Sequence, residues 1–380
     1  MAQVSELVAL RRALHRIPEL GFDERATSLL LREALEGVGR MTRLGETGFF
    51  VDLGASCPKR TILLRADMDG LPITEETGLP YASQHDGKMH ACGHDAHMAI
   101  LARFGQTLRG LPDDLRVRLL FQPAEEGGGG ARFCIDEGAL DGVDAAFGIH
   151  VWNELPLGHV ALTDEGIMAA VIELDVVVRG KGGHAAIPGR AIDPVSAAGH
   201  LLVAAEGCAT AIDPSALLTL TAIHAGEAFN VIPESVRIRG TARAFSSANE
   251  AALHAHMTAL CERVARETRT QIGLNWRRHC RVTHNDPAFA GLARRAAHGT
   301  GAFACVRDDY QTTAGEDFGE FLAEVPGCFA LVGSGRPDGT SESHHSPRFE
   351  IDERVLPLGV TLFEAVVNTA ADDWGLGERA

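Results

Sequence analysis

Three apolar stretches of this chain each run straight into residues that can hold a metal ion or a proton. Residues 61–66 lead into Asp67 and Asp69, residues 115–121 into Glu125 and Glu126, and residues 143–149 into His150. Their length and composition read as buried strands. Open α/β sheets gather their ligands outside the carboxyl ends of the strands. A chain that arms three strand ends in this way is therefore expected to build an open mixed sheet with its chemistry along one edge. Residues 48–53 read as a further strand. Residues 4–16, 24–38 and 96–110 read as helices, and Ile17-Pro18-Glu19-Leu20-Gly21 breaks the first from the second.

The middle of the chain changes character. A strand at 170–179, a helix at 193–208, strands at 217–225 and 235–244, a helix at 249–267 and a strand at 271–277 follow in the order β-α-β-β-α-β. That is the ferredoxin-like arrangement, self-contained in about a hundred residues. From 281 the α/β pattern resumes, with a strand at 329–333 and a last helix at 353–370. A chain of 380 residues, 45% hydrophobic, has material for two cores. The expected division is a catalytic domain in two parts, 1–168 and 281–380, around an inserted module at 169–280.

Charge narrows the partners. The 35 basic against 51 acidic residues leave a formal charge of −16, which opposes nucleic acid and anionic membrane surfaces and favours a small-molecule ligand. The eight cysteines (57, 92, 134, 208, 261, 280, 305 and 328) form no paired framework and suit a reducing compartment. The amphipathic start and the lack of any apolar run of about 18 residues lead us to expect a soluble, cytoplasmic protein.

The densest chemistry lies in Met89-His90-Ala91-Cys92-Gly93-His94-Asp95-Ala96-His97. One glycine separates Cys92 from His94, so both heads can face one cation, with Asp95 orienting an imidazole behind them. The same stretch also reads as a histidine-rich helix start capped by Asp95. Four separated pieces of chain together offer Cys92, His94, Glu126, His150 and His345, a mixed sulfur, nitrogen and oxygen set too large for one tetrahedral cation. Two metals sharing a bridging ligand would use them all, and hydrolysis at such a centre needs one free carboxylate to move protons. Glu125, beside Glu126, is placed for that if the segment is extended and the two side chains point apart. His90 and His97 fit supporting roles, and His344 an exposed one. Glu316 and Asp317 line a pocket or cap a turn.

Seven motifs in one order carry a resemblance. They are Leu-Arg-Arg-Ala-Leu-His-Arg-Ile-Pro-Glu-Leu (10–20), Arg65-Ala66-Asp67-Met68-Asp69, His-Ala-Cys-Gly-His-Asp (90–95), Gln122-Pro123-Ala124-Glu125-Glu126, Gly182-Gly183-His184-Ala185-Ala186, Asn230-Val231-Ile232-Pro233-Glu234 and His345-Ser346-Pro347. Together they resemble the hippurate hydrolase and indoleacetyl-amino-acid hydrolase branch of the aminoacylase/carboxypeptidase di-metal amidohydrolases. The resemblance implies two divalent ions, Mn²⁺ or Zn²⁺ first and Co²⁺ or Ni²⁺ next, bridged by Cys92 with His94, Glu126, His150 and His345 completing the shell. It implies Glu125 as general base and a lid module that dimerises. Relatives in the wider superfamily have an aspartate bridge and an extra histidine where Cys92 and Asp67 stand here. Gly70 and Gly189 depart from the branch, where Ala and a polar residue are more usual.

Two lid positions remain open on the residues alone. Arg243 is either a surface arginine or, with Asn230, the bidentate anchor for the free carboxylate of an N-acyl amino acid. His184, in a glycine-rich turn, either caps the next helix or donates a hydrogen bond to the oxyanion formed at the amide carbonyl, from its own or a partner's lid. The expected activity is hydrolysis of N-acyl amino acids; the alternative is a metallo-dipeptidase or carboxypeptidase. A nucleobase deaminase is set aside because the chain has no Cys-x-x-Cys.

Overall fold

The computed structural model describes residues 2–336 and 338–376 and divides into two compact units. The first comprises Met1–Ile167, His284–Tyr310 and Asp317–Ala380; the second comprises Met168–Thr283 and Gln311–Glu316.

The first unit is built on an eight-stranded mixed sheet in the order Arg40–Leu44, Gly48–Gly54, Leu115–Gln122, Arg60–Asp67, Ala145–Pro156, Gly327–Gly335, His159–Ala161, Cys305–Arg307. Its four central strands run parallel, with Asp67 opposite Gln122 and Leu331 opposite His150. They are buried along nearly their whole length, as parallel strands covered on both faces must be. His150 sits in mid-strand, not at a strand end as expected. The strand runs on to Pro156 because Gly327–Gly335 supplies it with partners as far as Trp152 and Pro156.

Helix His94–Thr107 begins two residues earlier than its apolar run suggests and is buried almost all round. It packs between helices Ala2–His15 and Val355–Asp373, and the latter also packs on Pro287–Thr300. Of the described helices only Val355–Asp373 is long and apolar enough to cross a membrane, and Leu356, Leu362, Phe363, Val366 and Val367 bury it in this core. Three short strands of this sheet, Arg40–Leu44, His159–Ala161 and Cys305–Arg307, have no counterpart in the sequence pattern.

The second unit holds a four-stranded antiparallel sheet in the order Leu217–Ala225, Ser235–Ala244, Ala170–Arg179, Gln271–Cys280. Strict burial alternation along Ala170–Arg179 puts Ile172, Leu174, Val176 and Val178 under helices Pro194–Ala205 and Ser247–Thr268. Both helices start on side-chain caps: Asp193 accepts from the Val195 amide and Ser246 from the Asn249 amide. The return of Gln311–Glu316 to this unit has no signal in the sequence. It follows from the Ala169 amide, which donates to the carbonyls of Thr312 and Ala314.

Candidate metal centre

The centre is assembled at the start of helix His94–Thr107. Gly93 takes φ 88°, and a Cβ there would stand 2.4 Å from Val151 Cγ2, so only glycine lets the chain turn into the helix against the His150 strand. Cys92 is thereby left just outside the helix and His94 becomes its first residue.

Backbone partners then fix each imidazole. His94 Nδ1–H donates to the Asp69 carbonyl at 2.9 Å and His150 Nδ1–H to the Val151 carbonyl at 2.7 Å. A carbonyl only accepts, so in both rings the lone pair of the neutral tautomer lies on Nε2. His97 is different. Its Nδ1–H donates to Asp67 at 2.7 Å and its Nε2 accepts the Val151 amide at 2.9 Å, which leaves no nitrogen for a metal. The cluster of Asp67, His94 and His97 is thus an internal network.

Two clusters of possible ligands meet at one atom. Cys92, His94 and His150 form one, Cys92, Glu126 and His345 the other, and within each the ligand atoms lie within 4.8 Å of one another. Cys92 Sγ stands 3.4 Å from His150 Nε2, and His345 Nε2 stands 3.2 Å from Glu126 Oε1. His94 Nε2 and Glu126 Oε1 are buried and make no hydrogen bond among the described residues. A buried imidazole nitrogen without a hydrogen bond, 4.0 Å from a carboxylate oxygen that also faces His345, is what a cation site looks like from the protein side. Electrostatics agree. Burial alone would lower the His94 pKa, yet Asp67, Asp69 and Glu126 overcome it and raise it to about 10, so these anions demand a positive charge here. Burial pushes His150 the other way, toward the neutral form that ligates. The donor set of one thiol, three imidazoles and a carboxylate fits two divalent ions of borderline softness.

Glu125 and Glu126 do not lie in an extended segment, as expected, but in a turn. Ala124 before them has φ 54°, and both side chains approach His94 Nε2, Glu125 Oε2 at 3.9 Å and Glu126 Oε1 at 4.0 Å. The Asp69 carboxylate accepts both backbone amides, Glu125 N and Glu126 N, at 3.0 Å each. Its backbone carbonyl holds His94, so this one residue ties base, carboxylate and imidazole together.

Beneath the centre lie two charge networks whose members no local sequence pattern links. Arg65, fully buried, donates to Asp67, Gln122 and Asp317, and Asp317 also accepts the Ala131 amide. Burial alone would raise the Asp67 pKa; Arg65, then His94 and His97, hold it well below the usual carboxylate range. Asp95 does not orient a ligating imidazole. It pairs with Arg11 at 2.7 Å and accepts His15 Nδ1–H at 2.7 Å, inside the 10–20 motif. His344 is likewise not exposed. Its ring stacks on Trp152 at 4.4 Å, Nε2 accepts the Asn153 amide, and burial lowers its pKa to about 3. The motifs 10–20 and 65–69 were visible signals for both networks, but their partners are far away in sequence.

The other three expected residues lie in the second unit. His184 is exposed on strand Gly183–His184, paired with Val231–Ile232, and the Ala185 amide donates to the Asn230 carbonyl at 3.1 Å. The Ala186 amide donates to His184 Nδ1, so His184 Nε2 carries the proton and is a donor. Arg243, half-buried, donates to the carbonyls of Thr313 and Ala242 and to the Thr241 hydroxyl. Among the described residues it has no carboxylate partner.

A model of Peptidase family M20/M25/M40 matches residues 63–369. N-acetyl-L-cysteine deacetylase of Bacillus subtilis (strain 168) is 41% identical over 92% of this chain and 85% of its own length. IAA-amino acid hydrolase ILR1-like 4 of Arabidopsis thaliana is 35% identical over 94% of this chain and 83% of its own. Among solved structures, the Bacillus subtilis YXEP protein, described as a dinuclear metal binding peptidase from the M20 family, superposes with a TM-score of 0.87 at 32% identity, over 98% of this chain and 99% of that one.

Proposed function

The chain belongs to peptidase family M20/M25/M40, and from that premise we propose that it hydrolyses the amide bond of N-acyl amino acids, hippurate-like and indoleacetyl conjugates included. It is a metal-dependent amidohydrolase that uses two divalent ions. The observation that carries the reading is the pair of ligand clusters sharing Cys92, with the Glu125 carboxylate close beside them, its Oε2 3.9 Å from His94 Nε2.

In this reading Cys92, His94, His150, Glu126 and His345 would hold the ions, with Cys92 common to both ligand clusters, and Mn²⁺ or Zn²⁺ would suit the set best. Bound there, the ions supply Lewis acidity, polarising the scissile carbonyl and making water a better acid. Glu125 takes the proton from the attacking water and returns it to the departing amine nitrogen. His184, whose Nε2–H is a donor, stabilises negative charge developing on the carbonyl oxygen. Arg243, with Asn230, receives the carboxylate of the amino acid; a half-buried guanidinium without a carboxylate partner among the described residues supports that role.

A homodimer, or a dimer of dimers, through the second unit is part of the proposal. Leu217–Ala225 ends that sheet as an edge strand, and Leu217, Ile223, Val195 and Val203 are exposed on it and on helix Pro194–Ala205. A cytoplasmic setting is proposed too, supported by eight free thiols.

Amine release from hippurate, N-acetylcysteine, indoleacetyl amino acids and dipeptides, after loading with Zn²⁺, Mn²⁺, Co²⁺ or Ni²⁺, tests the function. Faster turnover of the N-acyl amino acids is expected. A preference for dipeptides across all four metals would replace this reading with a metallo-dipeptidase.

A further inference from the structure

The motif at 10–20 continues as Gly21-Phe22-Asp23-Glu24, and Glu24 is the N-cap of helix Arg25–Ala34. An acidic N-cap ordinarily turns its side chain back onto the first helical amides. Glu24 does not; it makes no side-chain cap bond. Glu19 caps the helix in its place, accepting the amides of Ala26 at 3.2 Å and Thr27 at 2.9 Å. The Glu24 carboxylate is fully buried and accepts the Ala124 amide at 2.9 Å.

Ala124 is the residue before the proposed base, and it sits at φ 54°, a conformation that side-chain-bearing residues avoid. Its surroundings hold it there. Its carbonyl accepts the Gly130 amide at 3.0 Å. A Cβ on Gly21 would stand 2.8 Å from the Ala124 Cβ, and one on Gly128 2.6 Å, so both neighbours approach as closely as glycine allows. Three successive amides, of Ala124, Glu125 and Glu126, therefore rest on two carboxylates from other segments, Glu24 and Asp69. Asp69 holds the two functional residues, while Glu24 holds the strained one that aims them.

We propose that Glu24 is a positioning residue: by accepting the Ala124 amide it fixes the left-handed turn that points Glu125 and Glu126 at the centre. The inference rests on the roles given to those two residues above. It concerns a hydrogen bond and not a charge. Burial raises the Glu24 pKa, and a neutral amide oxygen at the same place does the same work.

The test compares Glu24→Gln, which keeps the acceptor, Glu24→Met, which keeps the volume without it, and Glu24→Asp, which keeps the charge but falls short by one methylene. Three quantities are read on the full chain: deuterium uptake of the 121–130 segment, Zn²⁺ affinity by chelator competition, and kcat and KM on an N-acyl amino acid. Misplacement of a catalytic group by about 1 Å costs on the order of 10²-fold. Glu24→Met is expected to speed exchange across the segment, weaken Zn²⁺ about 10-fold and lower kcat about 10²-fold with KM little changed. Glu24→Gln stays within about 3-fold of wild type on all three. Ala124→Gly removes the cost of the turn, and adding it to Glu24→Met restores part of the lost kcat. Should Glu24→Met not fold, Glu24→Asp shows the same pattern of losses.

Unchanged exchange and Zn²⁺ affinity in Glu24→Met or Glu24→Asp would overturn the proposal, as would a Glu24→Gln variant as impaired as Glu24→Met. Exchange and affinity are read without substrate. A wild-type chain inactive on N-acyl amino acids would thus condemn the functional reading while leaving this one standing or falling by itself.

Discussion

His97 spends both ring nitrogens on the protein, donating to Asp67 and accepting the Val151 amide next to His150. It therefore supports the ligands from behind: through the backbone next to His150, through its ring against that of His150 at 4.5 Å, and through Asp67, which faces His94. Removing such a supporting partner typically costs 10–100-fold in metal affinity, so His97→Phe is expected to weaken metal binding by about that factor with Cys92 and His94 intact, measured by chelator competition. Cys92 belongs to both ligand clusters; Cys92→Ala should lower the metal content per chain itself, and elemental analysis that finds it unchanged would remove the bridge. Glu125→Gln keeps shape but accepts no proton, so it should bind both metals and lose about 10²–10⁴-fold in kcat, general acid–base steps being worth that much. Loss of metal in that variant would mean Glu125 and Glu126 have exchanged roles. The residues brought together here were legible in the sequence because short spacings, Cys92 to His94 and Glu125 to Glu126, concentrate ligand chemistry. Their supporting partners were not. His15 reaches Asp95 and Arg65 reaches Asp317 across the fold, and no local pattern encodes such pairings.

At the level of elements, the turn into helix His94–Thr107 is the tightest constraint. Gly93→Ala would press a methyl group 2.4 Å from Val151 Cγ2 and force L-chirality onto φ 88°. Overpacking alone costs about 1–3 kcal/mol. A fall of several degrees in Tm, with weakened metal binding, is the expected outcome of a thermal melt and a Zn²⁺ titration; a melt within a degree of wild type would show that the helix start yields easily. In the second unit the strands Ala170–Arg179, Leu217–Ala225 and Ser235–Ala244 were legible to the residue, and the two helices and the strand Gln271–Cys280 to within three residues at each end. Strand Ala170–Arg179 alternates strictly between its faces, and its helices carry side-chain caps. The first unit was harder to read. Strand Ala145–Pro156 extends past its apolar run because a partner from the far end of the chain continues it, and Arg40–Leu44 is an edge strand with two arginines in five residues. Periodicity reports what a segment buries, not who pairs with it.

At the scale of the molecule there are two separate cores, one around the sheet that bears the metal ligands and one around Ile172, Leu174, Val176 and Val178, and they are expected to melt as two cooperative units. A ligand that binds only the native form stabilises by about 2.7 kcal/mol at a hundred times its Kd. Calorimetry with and without Zn²⁺ should therefore move one transition upward and leave the other in place; a rigid upward shift of the whole trace would mean that the two units melt as one. One feature of the large sheet reaches beyond the finished protein. Strands Ala145–Pro156 and His159–Ala161 are joined by Leu157 and Gly158 alone, yet they are not neighbours, because Gly327–Gly335 lies between them. On a ribosome delivering the chain from its N-terminus, that slot stays empty until Gly335 has emerged. The second unit, nearly all contiguous, can close before that. Between the emergence of Thr283 and that of Gly335 the nascent chain thus carries an insert that can already be closed beside a sheet lacking one of its inner strands, and the two strands around the gap must be kept from zipping onto each other until that strand arrives.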